Sequence, residues 1–126
     1  LTPLQNFEKG KTVFYPHGYS NYFFHPTHPH ELIIVSTENN KVSILNCLSG
    51  EIVRTISKGK EYAFCNIDPV TGNYLFRNSY YVLITNENGD ELFRMRSEDA
   101  SPYLANNILT CWAGAAINVE PYLKKP

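Results

Sequence analysis

Residues 31–56 are ELIIVSTENNKVSILNCLSGEIVRTI, and this pattern predicts three consecutive β-strands. Residues 31–37 are rich in β-branched and other apolar side chains, which favour a strand. Residues 41–46 form another predicted strand, in which Val42 and Ile44 alternate with polar side chains. Glu-Asn-Asn and Leu-Ser-Gly, both typical turn sequences, separate these strands from each other and from residues 51–56. The stretch therefore predicts a three-stranded antiparallel meander.

The same order of strands and turns recurs later in the chain. Gly50 and Gly89 hold the same place in the two copies, and each is followed by an acidic residue and an apolar strand. About 40 residues separate the two glycines, a spacing in the range of four-stranded propeller blades. Residues 21–24 are expected to be the first strand of the first copy. The strands predicted in the second copy are residues 62–67, 74–77, 80–85 and 91–95.

This order of strand, tight turn, second strand, Ser-Gly turn and outer strand in residues 31–56 resembles a blade of the WD-repeat and quinoprotein-type β-propellers. The resemblance implies an all-β fold of antiparallel meanders, with two β-propeller-like blades at about residues 21–56 and 61–96. An open twisted sheet or a β-sandwich is the alternative architecture. The resemblance also implies a protein–protein interaction module with a scaffold or adaptor role.

Two blades leave a propeller ring open, because a ring typically has about four to eight. Residues 12–15 are predicted to be an outer strand of a preceding blade. Residues 108–117 predict either the first strand of a third blade or a short buried helix. The open edges would be covered by the rest of a larger ring, by copies that self-associate through their sheet edges, or by the sheet itself in an open or sandwich arrangement.

The composition is that of a globular protein, since 43% of the residues are hydrophobic and 18% are charged. We expect a single β-rich domain over residues 1–126, which is a usual size for one hydrophobic core. Because the sequence starts at Leu1, without Met, we expect it to be a piece of a longer chain or a processed product. No apolar run approaches the roughly 18 residues of a membrane span, so no span is expected.

Charge and cysteine content limit the partners and the compartment. The net charge is −1 and the 11 basic residues are scattered, so the sequence lacks the basic surface that nucleic-acid binding needs. The three cysteines are an odd number without paired spacing, and no Asn-x-Ser/Thr sequence is present. We therefore expect no nucleic-acid partner and a reducing, cytoplasmic location.

The segment His-Pro-Thr-His-Pro-His holds the candidate metal ligands His25, His28 and His30. Imidazole is a common ligand of zinc, nickel and copper, and the two prolines would stiffen a loop around an ion. The alternative is that the prolines end one strand and turn the chain, with the histidines as solvated loop residues. Beyond this candidate site, the sequence predicts no cofactor.

Catalytic signatures are sparse. The sequence has no Gly-x-Ser-x-Gly nucleophile motif, no glycine-rich phosphate loop and no convincing pair of carboxylates. We therefore predict that the chain is not an enzyme. The alternative is a fragment of a propeller enzyme with a metal or hydrolytic site that residues outside this sequence complete.

Aromatic residues are the candidate binding residues. Neighbours on a strand point to opposite faces, so adjacent tyrosines cannot all face inward, and a surface tyrosine offers rigid area with a hydroxyl group. Such residues suit a contact with a protein, or alternatively with a carbohydrate or small ligand; a purely structural role at a core or sheet edge is the other interpretation. The candidates are Tyr19, Tyr22, Tyr80, Tyr81 and Trp112.

Overall fold

We describe a computed structural model of the chain, which covers residues 4–6, 11–13, 18–36, 38–59, 61–97, 101–110 and 114–125. In these residues the regular structure consists of antiparallel strands and one short 3-10 helix at Glu120–Tyr122. The strands are β1 (Leu4–Asn6), β2 (Lys11–Val13), β3 (Tyr19–Phe24), β4 (Glu31–Ser36), β5 (Val42–Asn46), β6 (Ile52–Ile56), β7 (Ala63–Ile67), β8 (Tyr74–Arg77), β9 (Tyr81–Thr85), β10 (Glu91–Arg96), β11 (Tyr103–Ala105), β12 (Ile108–Thr110) and β13 (Ala116–Asn118).

The strands form successive meanders. Strands β3 to β6 make the first sheet in chain order, β7 to β10 the second, and β11 to β13 the third, while β1 and β2 pair with each other. In the central pairs, Ile33 lies opposite Ile44 and Leu75 lies opposite Ile84. The prediction of an all-β fold with two blade-like antiparallel meanders is therefore confirmed.

The second strand of the first sheet is buried on both faces, which explains its unbroken apolar sequence. Ile33 and Val35 face the second sheet, whereas Leu32 and Ile34 belong to a cluster on the opposite face. Each such side chain contributes about 1.5–3 kcal/mol when it is removed from water. The core between the first two sheets consists of Ile33, Val35, Val42, Ile44, Ile56, Ile67, Tyr74, Phe76 and Leu83.

The second sheet uses its other face to pack against the third. On β9, Leu83 belongs to the core shared with the first sheet, while Val82 and Ile84 belong to a second core. The three sheets thus stack face to face in chain order, as the blades of a propeller do. This second core consists of Leu75, Val82, Ile84, Leu104, Leu109 and Val119.

Corresponding turns have the same chemistry in the first two sheets. Gly50 and Gly89 have φ angles of 79° and 88°, in the left-handed region that favours glycine. Asn46 and Asn86, which begin the two turns, each accept two backbone N–H groups through Oδ1 at 2.8 to 3.1 Å. Both turns therefore combine an Asn side-chain acceptor with a left-handed glycine, although the first turn is one residue longer between Asn and Gly.

The third sheet corrects one prediction. Residues 108–117 are neither a single strand nor a helix, because β12 and β13 are separate strands and β11 precedes them. Asn106 and Asn107, with φ angles of 52° and 63°, form the two-residue turn between β11 and β12. Asn adopts these angles more readily than other non-glycine residues, so the pair permits a tight hairpin.

A strand covers part of residues 12–15, which were predicted to be the outer strand of a preceding blade. Lys11–Val13 form β2, which pairs with β1. Residues 14 and 15 lie outside the described residues.

Two polar side chains join the second sheet to the third. Asn66 on β7 donates from Nδ2 to the carbonyl of Leu104 at 2.9 Å and accepts the Leu104 N–H at 3.2 Å. In the next turn, the buried carboxylate of Asp68 accepts the N–H groups of Asn106 and Asn107 at 2.7 and 2.9 Å. These bonds place β7 and β11, the first strands of their sheets, side by side.

Candidate binding surface

The first strands of the three sheets, β3, β7 and β11, approach one another on one side of the stack. Phe23 of β3 contacts Phe64 of β7, with ring centroids 5.5 Å apart and an interplanar angle of 60°. The hydrogen bonds between Asn66 and Leu104 join β7 to β11. Residues of three sheets that are distant in sequence therefore meet along this side.

This side exposes large aromatic side chains. Phe24 is 80% exposed, Tyr22 and Tyr103 are each 51% exposed, and Phe23 is 43% exposed. The rings of Tyr22 and Phe24 meet edge to face at 6.2 Å, because residues two apart on a strand share a face. We call the set of Tyr22, Phe23, Phe24, Phe64 and Tyr103 the inner-strand surface.

A small cavity of about 160 Å³ opens beside these strands. Its walls are largely aromatic and prolyl, and Asn66 adds a polar group whose position is fixed by Leu104. Its dimensions suit one side chain of a partner. The ring-bearing residues that line it are Phe23, Phe24, Pro26, Phe64, Pro69 and Tyr103.

Exposed aromatic rings in this number favour a contact surface. Burying a Phe side chain contributes about 1.5–3 kcal/mol, and Phe24, at 80% exposure, keeps most of this contribution for a partner that covers it. Contiguous exposed apolar surface marks interaction sites, and aromatic residues dominate the energetics of such contacts. The surface is therefore suited to bury apolar area against a partner.

The sequence identified only part of this surface. Tyr22 was expected to reach the surface and does so, whereas Phe23, Phe24, Phe64 and Tyr103 were missed. The available signal was the run of three aromatic residues at 22–24, since a strand cannot turn all three toward one core. No sequence pattern shows that β3, β7 and β11 are neighbours.

Tyr19 lies outside the inner-strand surface. It is half-buried, its hydroxyl shares a 2.7 Å hydrogen bond with Ser43 Oγ, and Lys41 Nζ lies 5.6 Å from its ring centre. Its polar group is therefore used within the first sheet. Trp112, another candidate binding residue, lies outside the described residues.

Tyr80 and Tyr81 lie at the start of β9, two strands away from β7. Tyr80 is 55% exposed and Tyr81 is half-buried, so the expectation that they cannot both face inward agrees with their burial. The guanidinium groups of Arg96 and Arg94 lie 5.6 Å from the ring centres of Tyr80 and Tyr81, respectively. The two tyrosines therefore belong to an aromatic–cation patch that is distinct from the inner-strand surface.

The histidine segment forms the turn between β3 and β4, as its prolines predict. His25 is only 8% exposed, so the expectation of a solvated loop residue is wrong for this histidine, while His28 and His30 are exposed. Burial, together with the neighbouring His28, lowers the pKa of His25. Within the described residues, His25 and His28 come together with Glu31 and not with His30.

The two described cysteines are free thiols on strands or next to them. Burial raises the pKa of the Cys47 thiol, and burial also raises that of Cys65, to about 11. Both thiols are thus protonated at neutral pH and lack the reactivity of a catalytic thiolate. Cys111 lies outside the described residues.

Comparisons with known proteins concern the fold. No protein-family model matches the chain, and no curated protein matches it in sequence. The crystal structure of BamB from Moraxella catarrhalis is similar, with a TM-score of 0.57 and 18% sequence identity, and the match covers 86% of this chain. The chain spans 33% of the length of that BamB chain.

BamB is a β-propeller-type protein, so the match supports a propeller-like fold for this chain. At 18% identity the likeness shows the fold alone, and it does not distinguish WD repeats from other propeller repeats. In the described part of the chain, none of the helical structure has the length and hydrophobicity of a membrane span. The chain therefore has a propeller-like fold whose first strands present an aromatic surface.

Proposed function

We propose that this chain is a propeller-like protein-interaction module that contacts a partner protein through the inner-strand surface. The observation that carries the proposal is the 80% exposure of Phe24 among four other aromatic side chains from three strands. The strands hold these rings in place, so a partner gains apolar contact with little loss of conformational entropy.

A protein fits this surface better than a small ligand. The cavity of about 160 Å³ is smaller than the roughly 300–1,000 Å³ of typical ligand pockets. Exposed aromatic rings beside a small cavity are instead typical of protein interfaces, where the cavity receives one anchoring side chain of the partner. A carbohydrate that stacks on the exposed rings is the competing candidate.

We also propose that the chain belongs with the WD-repeat and quinoprotein-type propellers and acts as a scaffold or adaptor. The matching turns at Gly50 and Gly89 support repeats of this kind. The free thiols of Cys47 and Cys65 support a reducing compartment such as the cytoplasm.

Selection from a random peptide display library tests the proposed contact. The wild-type chain serves as bait, and the selected peptides are then titrated against the wild type, Phe24→Ser and the control Val53→Ser. Val53 is 48% exposed on β6, the last strand of the sheet that begins with Phe24's strand. Each substitution removes an exposed apolar side chain, so neither alters the core.

We expect Phe24→Ser to weaken the selected peptides about tenfold or more, because an aromatic hot spot typically contributes about 2 kcal/mol. Val53→Ser should leave their affinity unchanged. Peptides that bind both variants as tightly as the wild type would refute a contact at the inner-strand surface. Failure to select any peptide, together with Phe24-dependent binding on a glycan array, would favour the carbohydrate candidate.

A further inference from the structure

The turn between β3 and β4 gathers three side chains of the metal-ligating type. The ligand atoms of His25, His28 and Glu31 all lie within 4.8 Å of one another, and the two imidazole centroids are 4.4 Å apart. Backbone hydrogen bonds fix this turn: the His25 N–H donates to the Glu31 carbonyl at 3.4 Å, and the Glu31 N–H donates to the His28 carbonyl at 3.1 Å. The main chain therefore holds the three side chains together.

A buried carboxylate oxygen of this group lacks a hydrogen-bond partner. Glu31 Oε1 is buried, and no described residue forms a hydrogen bond with it. Arg54 Nη2 lies 3.6 Å from Glu31 Oε1, close enough for an ion pair but too far for a hydrogen bond. The carboxylate thus has a cationic neighbour but no hydrogen bond to Oε1, and a metal ion would supply the missing partner.

Thr27 is placed to orient the buried imidazole. Its backbone N–H donates to Nδ1 of His25 at 3.2 Å, and its hydroxyl oxygen lies 3.3 Å from the same nitrogen. For Nε2 to bind an ion, the ring proton must move to Nδ1, where the Thr27 hydroxyl can accept it in place of the backbone N–H contact. Outer hydrogen bonds of this kind fix the tautomer and the ring orientation of metal-bound histidines.

We propose that His25, His28 and Glu31 form a binding site for a divalent transition-metal ion of the zinc type. Two imidazoles and one carboxylate are a donor set that zinc accepts, whereas magnesium and calcium prefer oxygen ligands alone. Three protein ligands leave a fourth position for water. The site is independent of the proposed protein contact, although His25 directly follows Phe24 in the chain.

Isothermal titration calorimetry of the chain without an affinity tag tests the site, with zinc chloride as the probe and magnesium chloride as the control ion. The variants are His28→Ala, Glu31→Gln and Thr27→Val, and the matched control is His30→Ala. His28 and His30 are exposed residues of the same turn, so both alanine variants keep the core. Circular dichroism checks each fold, and His28→Ala keeps the test decisive if Glu31→Gln does not fold.

We expect the wild type and His30→Ala to bind one zinc ion with the same affinity and to show no binding of magnesium. His28→Ala and Glu31→Gln should each weaken zinc binding at least tenfold, and Thr27→Val about tenfold. Zinc at about 100 times its Kd should also raise the Tm of the wild type by about 10 °C. The proposal is overturned if zinc affinity is unchanged in His28→Ala, or if His30→Ala lowers it as much.

Discussion

Cys65 shows how the fold sets the chemistry of a single side chain. It packs at the margin of the core between the second and third sheets. Desolvation there raises its pKa to about 11, and the positive charge of Arg77 offsets that rise only in part. Strand β7 therefore carries a thiol that behaves as a small apolar side chain.

We predict that Cys65 reacts with iodoacetamide at pH 8 about 200-fold more slowly than free cysteine, in a chain with Cys47→Ser and Cys111→Ser. A pKa of about 11 leaves roughly one thiolate in 1,000 at pH 8, against about one in four for an ordinary pKa near 8.5. Mass spectrometry over a time course gives the rate. The same chain in urea is the control, and a native rate within tenfold of the urea rate would show that burial does not protect the thiol.

For single residues, the sequence shows which side chains on a strand point to opposite faces, but it does not show which residues they contact. The adjacency of Tyr80 and Tyr81 shows that one of them must be more exposed, and Tyr80 is. Nothing in the sequence indicates that the Tyr19 hydroxyl meets Ser43, 24 residues away. The burial of His25 was likewise missed, because local proline content describes the turn but not what packs over it.

At the scale of elements, Asp68 ties together two turns. Burial by itself raises the pKa of its carboxyl, but the backbone N–H groups of Asn107, Val70 and Asn106 outweigh burial, so the pKa is lowered overall. These donors come from its own turn and from the β11–β12 turn, 38 and 39 residues away. The carboxylate thus fixes the third sheet on the second.

We predict that Asp68→Asn lowers the free energy of unfolding by about 2–3 kcal/mol, measured by urea denaturation. An amide removes the charge and directs an NH₂ group toward backbone N–H donors, which leaves at least one of them unsatisfied. Asp90→Asn, at an exposed position in the turn after β9, is the control and should cost less than about 1 kcal/mol. If both variants lose the same free energy of unfolding, Asp68 does not connect the third sheet to the second in the way described.

The pH dependence of the free energy of unfolding also tests the role of Asp68. Because the folded-state pKa of Asp68 lies below the unfolded value of about 3.9, its contribution is present above that value and is lost as the pH falls through the folded pKa. The wild type should therefore lose stability faster than Asp68→Asn below about pH 4. Parallel pH profiles for the two chains would contradict this assignment.

The strands of the first two sheets were predictable because each is long enough to show the apolar pattern of a β-strand. The apolar runs in β4 and β9 are buried, and the turns after β5 and β9 each carry an Asn followed by a glycine with a positive φ angle. The third sheet was not predictable in the same way, because β11, β12 and β13 have three residues each. Three residues are too few to reveal alternation, and the left-handed Asn106–Asn107 turn was the only local signal.

At the scale of the whole molecule, the stacking order decides the function that we propose. Two cores hold the three sheets face to face, and their first strands consequently lie along one side. The sequence predicts the sheets but not this adjacency, which depends on contacts such as that of Phe23 with Phe64, 41 residues later in the chain. The inner-strand surface is therefore a property of the assembled stack and of no single strand.

The measurement that tests this arrangement most directly is the aromatic NOESY spectrum of the wild-type chain, with the rings of Phe23 and Phe64 assigned. Their centroids are 5.5 Å apart, so we expect cross-peaks between the ring protons of the two residues, together with cross-peaks from the Asn66 side-chain amide to Leu104. If the assigned rings of Phe23 and Phe64 give no cross-peak, the first strands do not meet and the inner-strand surface does not exist as described.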